Sequence, residues 1–209
     1  MVNVGGKRCK RSARRILYPI TKQYKSFHCL FCHGYESRGG TAGVLAINMV
    51  SAPHMAMHIA RNAAELSKSV TIYTHGSEKL KSELIQTLGD DPKFRVDSRT
   101  IKGFSMVDGA IELEFEDGNK TVETFLAHVP RSHPRGPFVE QLKLKTVPPL
   151  GDVEVTQPFM QTSVRGVFAC GDNMIMAKTV ATAVANGALA ANGASSQLQA
   201  EKYGHKPLF

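Results

Sequence analysis

Two cysteines separated by two residues, Cys29 and Cys32, are the residues of this chain best suited to do chemistry. They lie in the run Phe27-His28-Cys29-Leu30-Phe31-Cys32-His33-Gly34-Tyr35-Glu36. A Cys-x-x-Cys pair can close a small disulfide or present two thiols to one reagent. Beside an α/β unit, such a pair is typical of a dithiol/disulfide exchange centre when the thiolate is stabilised locally. The redox pair Cys29 and Cys32 therefore predicts thiol–disulfide chemistry.

Zinc binding is the alternative use of the same two thiols, since His28 and His33 flank them. A structural zinc site normally takes a second pair of ligands at short spacing. The other cysteines, Cys9 and Cys170, are isolated in the sequence, so Cys170 is most simply a small core residue. The spacing disfavours zinc, and no metal is expected.

Length and composition are those of a globular protein with one large domain or two small ones: 209 residues, of which 42% are hydrophobic. No uncharged apolar run approaches the roughly 20 residues that span a bilayer, so no membrane partner is expected. Four scattered cysteines are too few for a secreted disulfide scaffold. A reducing, cytoplasmic compartment is therefore expected.

The net charge of +8 belongs to the N-terminus. Residues 1–26 contain eight basic groups and no acid, which leaves 18 basic against 18 acidic residues in the remainder. This segment is expected to be a poorly ordered basic tail, with a mitochondrial targeting segment or a phosphate-binding arm as alternatives. Because the remaining chain is neutral, no nucleic-acid partner is expected.

The segment after the redox pair has the order of strands and helices typical of an α/β fold. Strands are predicted at residues 43–47, 70–74 and 94–96, and helices at 53–68 and 78–88. From Ile101 to Val129 the pattern changes to alternation, with turns at Asp108-Gly109 and Asp117-Gly118. A small antiparallel layer is therefore predicted over a parallel sheet. The proline-rich stretch 130–149 predicts a domain boundary.

A second motif lies near the C-terminus, where a short apolar strand is predicted just before Gly171 and Asp172. A long Ala-rich helix is predicted from Met176 to about Gln199. Such a motif suits a cofactor, because glycine allows close backbone approach and a carboxylate accepts hydrogen bonds from sugar hydroxyls. The N-terminus of the helix also favours an electron-rich group. A simple helix N-cap is the alternative role of Asp172.

The Cys-x-x-Cys run, the hairpin layer and the segment from Gly166 to Glu201 together resemble the thioredoxin-reductase-like flavoproteins. The likeness covers residues 27–203 and is greatest to the fungal branch of gliotoxin-type dithiol oxidases. It implies a Rossmann-like, three-layer nicotinamide-type domain that begins with the redox pair, and a second Rossmann-like domain that binds FAD. The expected division is a tail at 1–26, the redox-pair domain at 27–145 and the C-terminal remnant of the FAD domain at 146–209.

Carried over residue by residue, the resemblance implies a role for each residue of the redox motif. Cys29 matches the interchange cysteine that meets the substrate, and Cys32 matches the cysteine that lies against the flavin. His33 matches the acid/base that moves the thiol proton, and an imidazole suits this role because it titrates near neutral pH. A plain surface histidine is the alternative reading of His33.

The resemblance also implies a FAD site in the C-terminal motif. Asp172, next to Gly171, matches the carboxylate at the ribityl or phosphate region of the flavin. Lys178, Thr179 and Val180 match the start of the helix that faces the isoalloxazine ring.

The chain departs from the family pattern in two places. The family's flavin domain opens with a Gly-x-Gly-x-x-Gly turn well before the redox pair, whereas this chain has 28 residues before Cys29. The segment 48–53 also lacks the glycine-rich turn that lets a pyrophosphate approach the backbone, and no arginine cluster follows His75. The chain is therefore expected to use NADPH weakly or not at all, which favours an oxidase that passes electrons to oxygen.

Three functions are consistent with the sequence. The first, favoured by the resemblance, is FAD-dependent oxidation of a small-molecule dithiol in fungal secondary metabolism. The second is a truncated, catalytically silent relative or a partner subunit. The third is a flavin-free protein that exchanges disulfides through Cys29 and Cys32 alone. A homodimer is the assembly that the family implies.

Overall fold

The structure, a computed structural model, describes residues 7–9, 25–130, 132–134 and 136–209. It divides into a sheet unit, residues 11–131, and a helix unit, residues 1–10 with 132–209. Most of the basic segment predicted as a tail lies outside the described residues. Within that segment, β1 (Lys7–Cys9) pairs with β10 (Ser132–Pro134) in the helix unit.

A parallel sheet forms the centre of the sheet unit, with the strand order β2-β9-β3-β4-β5. Its strands are β2 (Ser26–Phe27), β3 (Thr41–Leu45), β4 (Ser69–Tyr73), β5 (Phe94–Asp97) and β9 (Phe125–Ala127). Helix α1 (Leu30–His33) follows β2, α2 (Pro53–Ala64) joins β3 to β4, and α3 (Glu78–Leu88) joins β4 to β5. Parallel neighbours require crossovers of this kind.

The two crossover helices begin at residues that suit a helix start. Pro53 occupies the first turn of α2, and the Ser77 hydroxyl caps α3 by accepting a backbone N–H at 3.3 Å. The predicted bounds of α3 are confirmed. Helix α2 ends before the predicted residue 68, where the Ser67 hydroxyl donates to the Ala63 carbonyl at 2.8 Å and the chain turns toward β4.

Three antiparallel strands form the second layer: β6 (Ile101–Val107), β7 (Ala110–Phe115) and β8 (Lys120–Glu123). Asp108 and Gly109 both have positive φ, 49° and 75°, which is the backbone of a two-residue hairpin turn. The predicted antiparallel layer is confirmed, but it ends earlier than Val129. Residues 125–127 are buried side by side and enter the parallel sheet as β9, so that part of the prediction was wrong.

Two cores lie on opposite faces of the parallel sheet, because neighbouring residues of a strand point to opposite sides. Val44 packs with α2 and α3 in one core, and Leu45 packs with the antiparallel strands in the other. The order of layers is helices, parallel sheet, antiparallel sheet. The predicted three-layer α/β fold is confirmed.

The helix unit is built around α5 (Val180–Tyr203), with α4 (Phe138–Gln141) and the two-stranded pair β11 (Thr146–Val147) and β12 (Asp152–Val153). Its core contains Met160, Phe168 and Ala190. The short strand predicted before Gly171 is wrong as an extended element, since the segment makes only the isolated bridge Gln161–Phe168. The long helix is confirmed but starts at Val180, because Thr179 caps it.

Candidate redox site

Cys29 and Cys32 form a disulfide at the start of α1. Cys29 has an extended backbone, φ −133° and ψ 104°, and precedes the helix, whereas Cys32 lies inside it. The Cα atoms are 5.4 Å apart, and the Cys32 N–H donates to the Cys29 carbonyl at 3.3 Å. The sequence motif is therefore a disulfide-capable pair in the fold.

The surroundings of the disulfide are open. Cys29 is half-buried, Cys32 is exposed, and Phe31 between them is 91% exposed. Thiol–disulfide exchange needs a thiolate to approach a disulfide sulfur, so access of this kind is what the reaction requires.

His33 is the last residue of α1 and is exposed to solvent. Its ring lies 6.4 Å from the ring of Phe27, measured between centroids. The structure thus brings Cys29, Cys32 and His33 together within one helical turn. The acid/base role of His33 stays a prediction.

Helix α1 is fixed at its C-terminal end by Gly34. A Cβ at this position would lie 2.5 Å from the Leu30 carbonyl oxygen and 2.6 Å from Leu66 Cδ1, so only glycine fits without a shift of the helix backbone and of the Leu66 side chain. The Gly39 N–H then donates to the Leu66 carbonyl at 2.7 Å. The short helix is therefore held against the segment that follows α2.

A buried polar pair that the sequence reasoning missed lies before the redox pair. His128 Nδ1 and Ser26 Oγ are 3.0 Å apart, and both residues are buried. Burial, and then the nearby His28, lowers the pKa of His128 from 6.5 to about 4. One sequence signal could have revealed this pair. His128 directly follows an apolar strand, which runs parallel to the strand before the redox motif and ends at the same edge of the sheet.

The predicted FAD residues come together separately, in the helix unit. Gly171 has φ +82° and opens a 3-10 turn that continues through Asp172, whose side chain is exposed. No heavy atom lies within 4 Å of a Cβ built on Gly171. This backbone conformation strongly favours glycine, and the open space beside it could admit a ligand.

Lys178 folds back onto the loop that precedes α5. Its Nζ lies 3.1 Å from Asp152 Oδ1 and donates to the carbonyls of Asp172, at 2.7 Å, and Ile175, at 2.6 Å. Lys178 therefore closes this loop.

Helix α5 starts with Thr179 as its N-cap, whose hydroxyl accepts the Thr182 N–H at 3.1 Å. Val180 and Val184 follow on the surface, 82% and 68% exposed. The predicted cofactor contacts of Lys178, Thr179 and Val180 stay predictions.

Residues 48–53, where the family pattern has a glycine-rich turn for a pyridine nucleotide, have a different local structure. Residues Asn48–Ser51 form a 3-10 turn, closed by the Ser51 hydroxyl on the Asn48 carbonyl at 2.6 Å. Beyond β4, Lys79 pairs with Glu83 at 3.9 Å and Lys81 with Glu78 at 3.4 Å. The expectation of weak NADPH use stays a prediction.

Across the described ranges, no cluster of three or more histidine, cysteine or acidic residues could hold a metal ion. None of the described helices is long and apolar enough to span a bilayer.

Comparison with known proteins identifies fungal relatives. The chain is 46% identical over 184 residues to thioredoxin reductase tcpT of Claviceps purpurea, an alignment that covers 87% of this chain and 57% of the relative. It is 40% identical over 174 residues to thioredoxin reductase aclD of Aspergillus oryzae, covering 82% and 55%. No protein-family model matches the chain.

Solved structures of the same fold include an oxidoreductase from Agrobacterium tumefaciens, with a TM-score of 0.72 and 26% identity over 92% of this chain and 62% of that one. A thioredoxin reductase from Streptococcus pyogenes has a TM-score of 0.70 and 21% identity over 93% and 64%, and this likeness shows the fold alone. The chain spans about half the length of the curated relatives it matches. The expected resemblance is confirmed, and the chain belongs to the thioredoxin-reductase-like oxidoreductases of fungi.

Proposed function

We propose that this chain performs thiol–disulfide exchange at Cys29 and Cys32, as part of a FAD-dependent oxidoreductase that oxidises a small-molecule dithiol in fungal secondary metabolism. The observation that carries the proposal is the accessible disulfide at the end of a sheet-edge strand, with an exposed histidine one residue beyond it. The 46% identity to a fungal thioredoxin reductase supports the same class of chemistry.

The exchange proceeds in two steps. A substrate thiolate attacks Cys29 Sγ, forms a mixed disulfide and releases Cys32 as a thiolate. The second thiolate of the substrate then attacks the substrate sulfur that is bonded to Cys29. The substrate leaves as a disulfide, and Cys29 is released as a thiolate. The two electrons of the substrate now reside on the redox pair, and His33 moves the accompanying protons at its ring nitrogens.

FAD fits the residues of the C-terminal motif. Gly171 leaves open space, Asp172 offers an exposed carboxylate to sugar hydroxyls, and Val180 presents an apolar surface at the start of α5. When bound, FAD would supply the two-electron oxidation that returns the redox pair to its disulfide. Lys178 holds the loop that carries Asp172 by bonding its carbonyl.

The test is oxidation of dithiothreitol by the purified chain with added FAD, followed by loss of thiol and consumption of oxygen. Cys29→Ser and Cys32→Ser are expected to abolish oxidation, because neither variant can form the disulfide. Cys170→Ser is the matched control, since Cys170 is a free cysteine outside the redox motif, and it is expected to retain activity. Equal activity of Cys29→Ser and the unmodified chain would refute the proposal.

Exchange without flavin is tested by a second assay, in which the purified chain is incubated with oxidised glutathione and no FAD. If the chain exchanges disulfides with oxidised glutathione but never oxidises dithiothreitol with FAD and oxygen, the flavin part of the proposal is wrong. The activity would then belong to the redox pair alone.

A further inference from the structure

His128 is a buried titratable residue that the exchange mechanism does not use. It follows β9 directly and is 9% exposed, and Ser26 in β2 is 6% exposed. His128 Nδ1 and Ser26 Oγ share a hydrogen bond of 3.0 Å across 102 positions of sequence. This buried Ser–His pair therefore joins the two neighbouring strands by side chains as well as by backbone.

The buried Ser–His pair lies at the base of the redox motif. The backbone N–H of His128 donates to the Phe27 carbonyl at 3.0 Å, and Phe27 is two residues before Cys29. His28 lies between Phe27 and Cys29 and is close enough to His128 to contribute to the lowered pKa of His128. The backbone that enters the redox helix is thus attached to His128 directly.

Strand β2 needs this attachment because it is short. It contains two residues, stands at the edge of the sheet and has β9 as its neighbour within the sheet. Such a strand has few ladder hydrogen bonds, so a single buried side-chain bond is a large part of what fixes its end. The ring of His128 is neutral at neutral pH, since burial disfavours its charged form. Nδ1 of a neutral ring can make this bond either as the donor or as the acceptor.

We infer that His128 and Ser26 are positioning residues for the redox pair. This inference rests on the proposed function. The disulfide needs Cys29 in an extended conformation and Cys32 inside α1, with the Cα atoms 5.4 Å apart. By fixing the chain just before Cys29, the buried Ser–His pair keeps the reduced Cys29 thiol within reach of Cys32. It therefore favours closure of the disulfide over the open dithiol.

The closure can be measured with glutathione as the partner couple. Oxidised glutathione takes two electrons and two protons from the Cys29 and Cys32 thiols, which leaves the protein disulfide and two glutathione thiols. The purified chain is equilibrated with defined mixtures of reduced and oxidised glutathione, then quenched and alkylated. Mass spectrometry of the peptide that contains both cysteines gives the oxidised fraction and hence the equilibrium constant.

Ser26→Ala and His128→Phe each remove the side-chain bond, and His128→Phe keeps an aromatic ring in the site. Both are expected to lower the equilibrium constant for disulfide formation at least threefold. Tyr73→Phe is the matched control, because it removes another buried hydrogen bond of the same unit, to Glu123. It is expected to lower the melting temperature and leave the equilibrium constant unchanged.

An unchanged equilibrium constant in Ser26→Ala, with a lowered melting temperature as in Tyr73→Phe, would overturn the inference and leave a purely structural role. Ser26→Ala decides the matter if His128→Phe fails to fold, since it deletes only a hydroxyl. The two proposals also fail separately. A chain that shows the threefold shift but oxidises no dithiol would refute the proposed function and retain the positioning role.

Discussion

Two buried polar groups of the sheet unit are expected to make the stability of this protein depend on pH. In the sheet unit, the Tyr73 hydroxyl donates to Glu123 Oε1 at 2.6 Å, and Ser26 bonds His128. A buried group with one partner is destabilising in its charged form, because the interior does not replace the water that the charge loses. The imidazole therefore limits stability in acid, and the phenol limits it in alkali.

Stability is expected to fall as the pH drops from 6.5 toward 4. Burial, and then His28, lowers the pKa of His128 from 6.5 to about 4. In this window the unfolded chain binds a proton that the folded chain does not. The free energy of unfolding therefore decreases as the pH is lowered, by roughly 3 kcal/mol in total. Urea unfolding at several pH values measures this. His128→Phe should lose that part of the slope, and an identical slope would contradict the assignment.

An opposite loss is expected in alkali. Burial, and then the charge of Glu123, raises the pKa of Tyr73 above its ordinary value of 10.0. The folded chain therefore keeps a proton that the unfolded chain releases, and stability falls as the pH rises past about 10.

Thermal unfolding in alkaline buffers checks this, with Tyr73→Phe expected to remove the effect. Tyr203→Phe is the control, because Tyr203 is 67% exposed. A slope that persists in Tyr73→Phe would assign the alkaline loss to another group.

At the level of elements, the sequence correctly predicted the features that residues close in sequence determine. Helix α3 has its predicted bounds because Ser77 caps it, and the hairpin turn at Asp108 has the backbone its sequence requires. The bounds of α5 were misplaced because the loop before it is held by Lys178, whose partner Asp152 lies far away in sequence. No pattern in one stretch of sequence reports such a contact.

The candidate site shows the same division. The spacing of Cys29 and Cys32 was enough to predict a pair that can close a disulfide, and the structure confirms this. His128 was missed because β9 was read as part of the antiparallel layer. Its insertion between β2 and β3 is a matter of sheet topology.

Two glycines of α5 are expected to respond in opposite directions to substitution by alanine. A Cβ at Gly193 would lie 2.7 Å from Phe159 Cβ and 2.9 Å from Phe168, whereas nothing lies within 4 Å at Gly187. Gly193→Ala should destabilise by about 1–3 kcal/mol through overpacking. Gly187→Ala should stabilise by up to about 1 kcal/mol, because alanine is the better helix former. Differential scanning calorimetry of both variants checks the signs, and two shifts of equal sign would contradict the packing.

For the whole molecule, the chain spans 57% of its Claviceps purpurea relative. The redox pair lies in the sheet unit and the residues proposed for FAD lie in the helix unit. Both groups of residues are present in this chain, so the proposed flavin function can be tested on the purified chain.

Titration of the purified chain with FAD is expected to give a bound flavin whose visible spectrum depends on Cys32. In the resemblance Cys32 lies against the flavin, so Cys32→Ser should change the long-wavelength absorption of the reduced protein, while Cys170→Ser should not. Equilibrium dialysis gives the bound fraction. A chain that binds no FAD, or a spectrum that does not change in Cys32→Ser, would contradict the flavin part of the proposed function.

The position of β9 between β2 and β3 also sets the order of events during synthesis. Ser26 leaves the ribosome 102 residues before His128. At roughly 5–20 residues per second, the nascent chain displays Cys29 and Cys32 for about 5–20 s before the strand beside them exists. Throughout that interval the two thiols are next to an unpaired edge. The redox centre is thus among the first parts of the sheet unit to be translated, and the strand that pairs beside it is among the last.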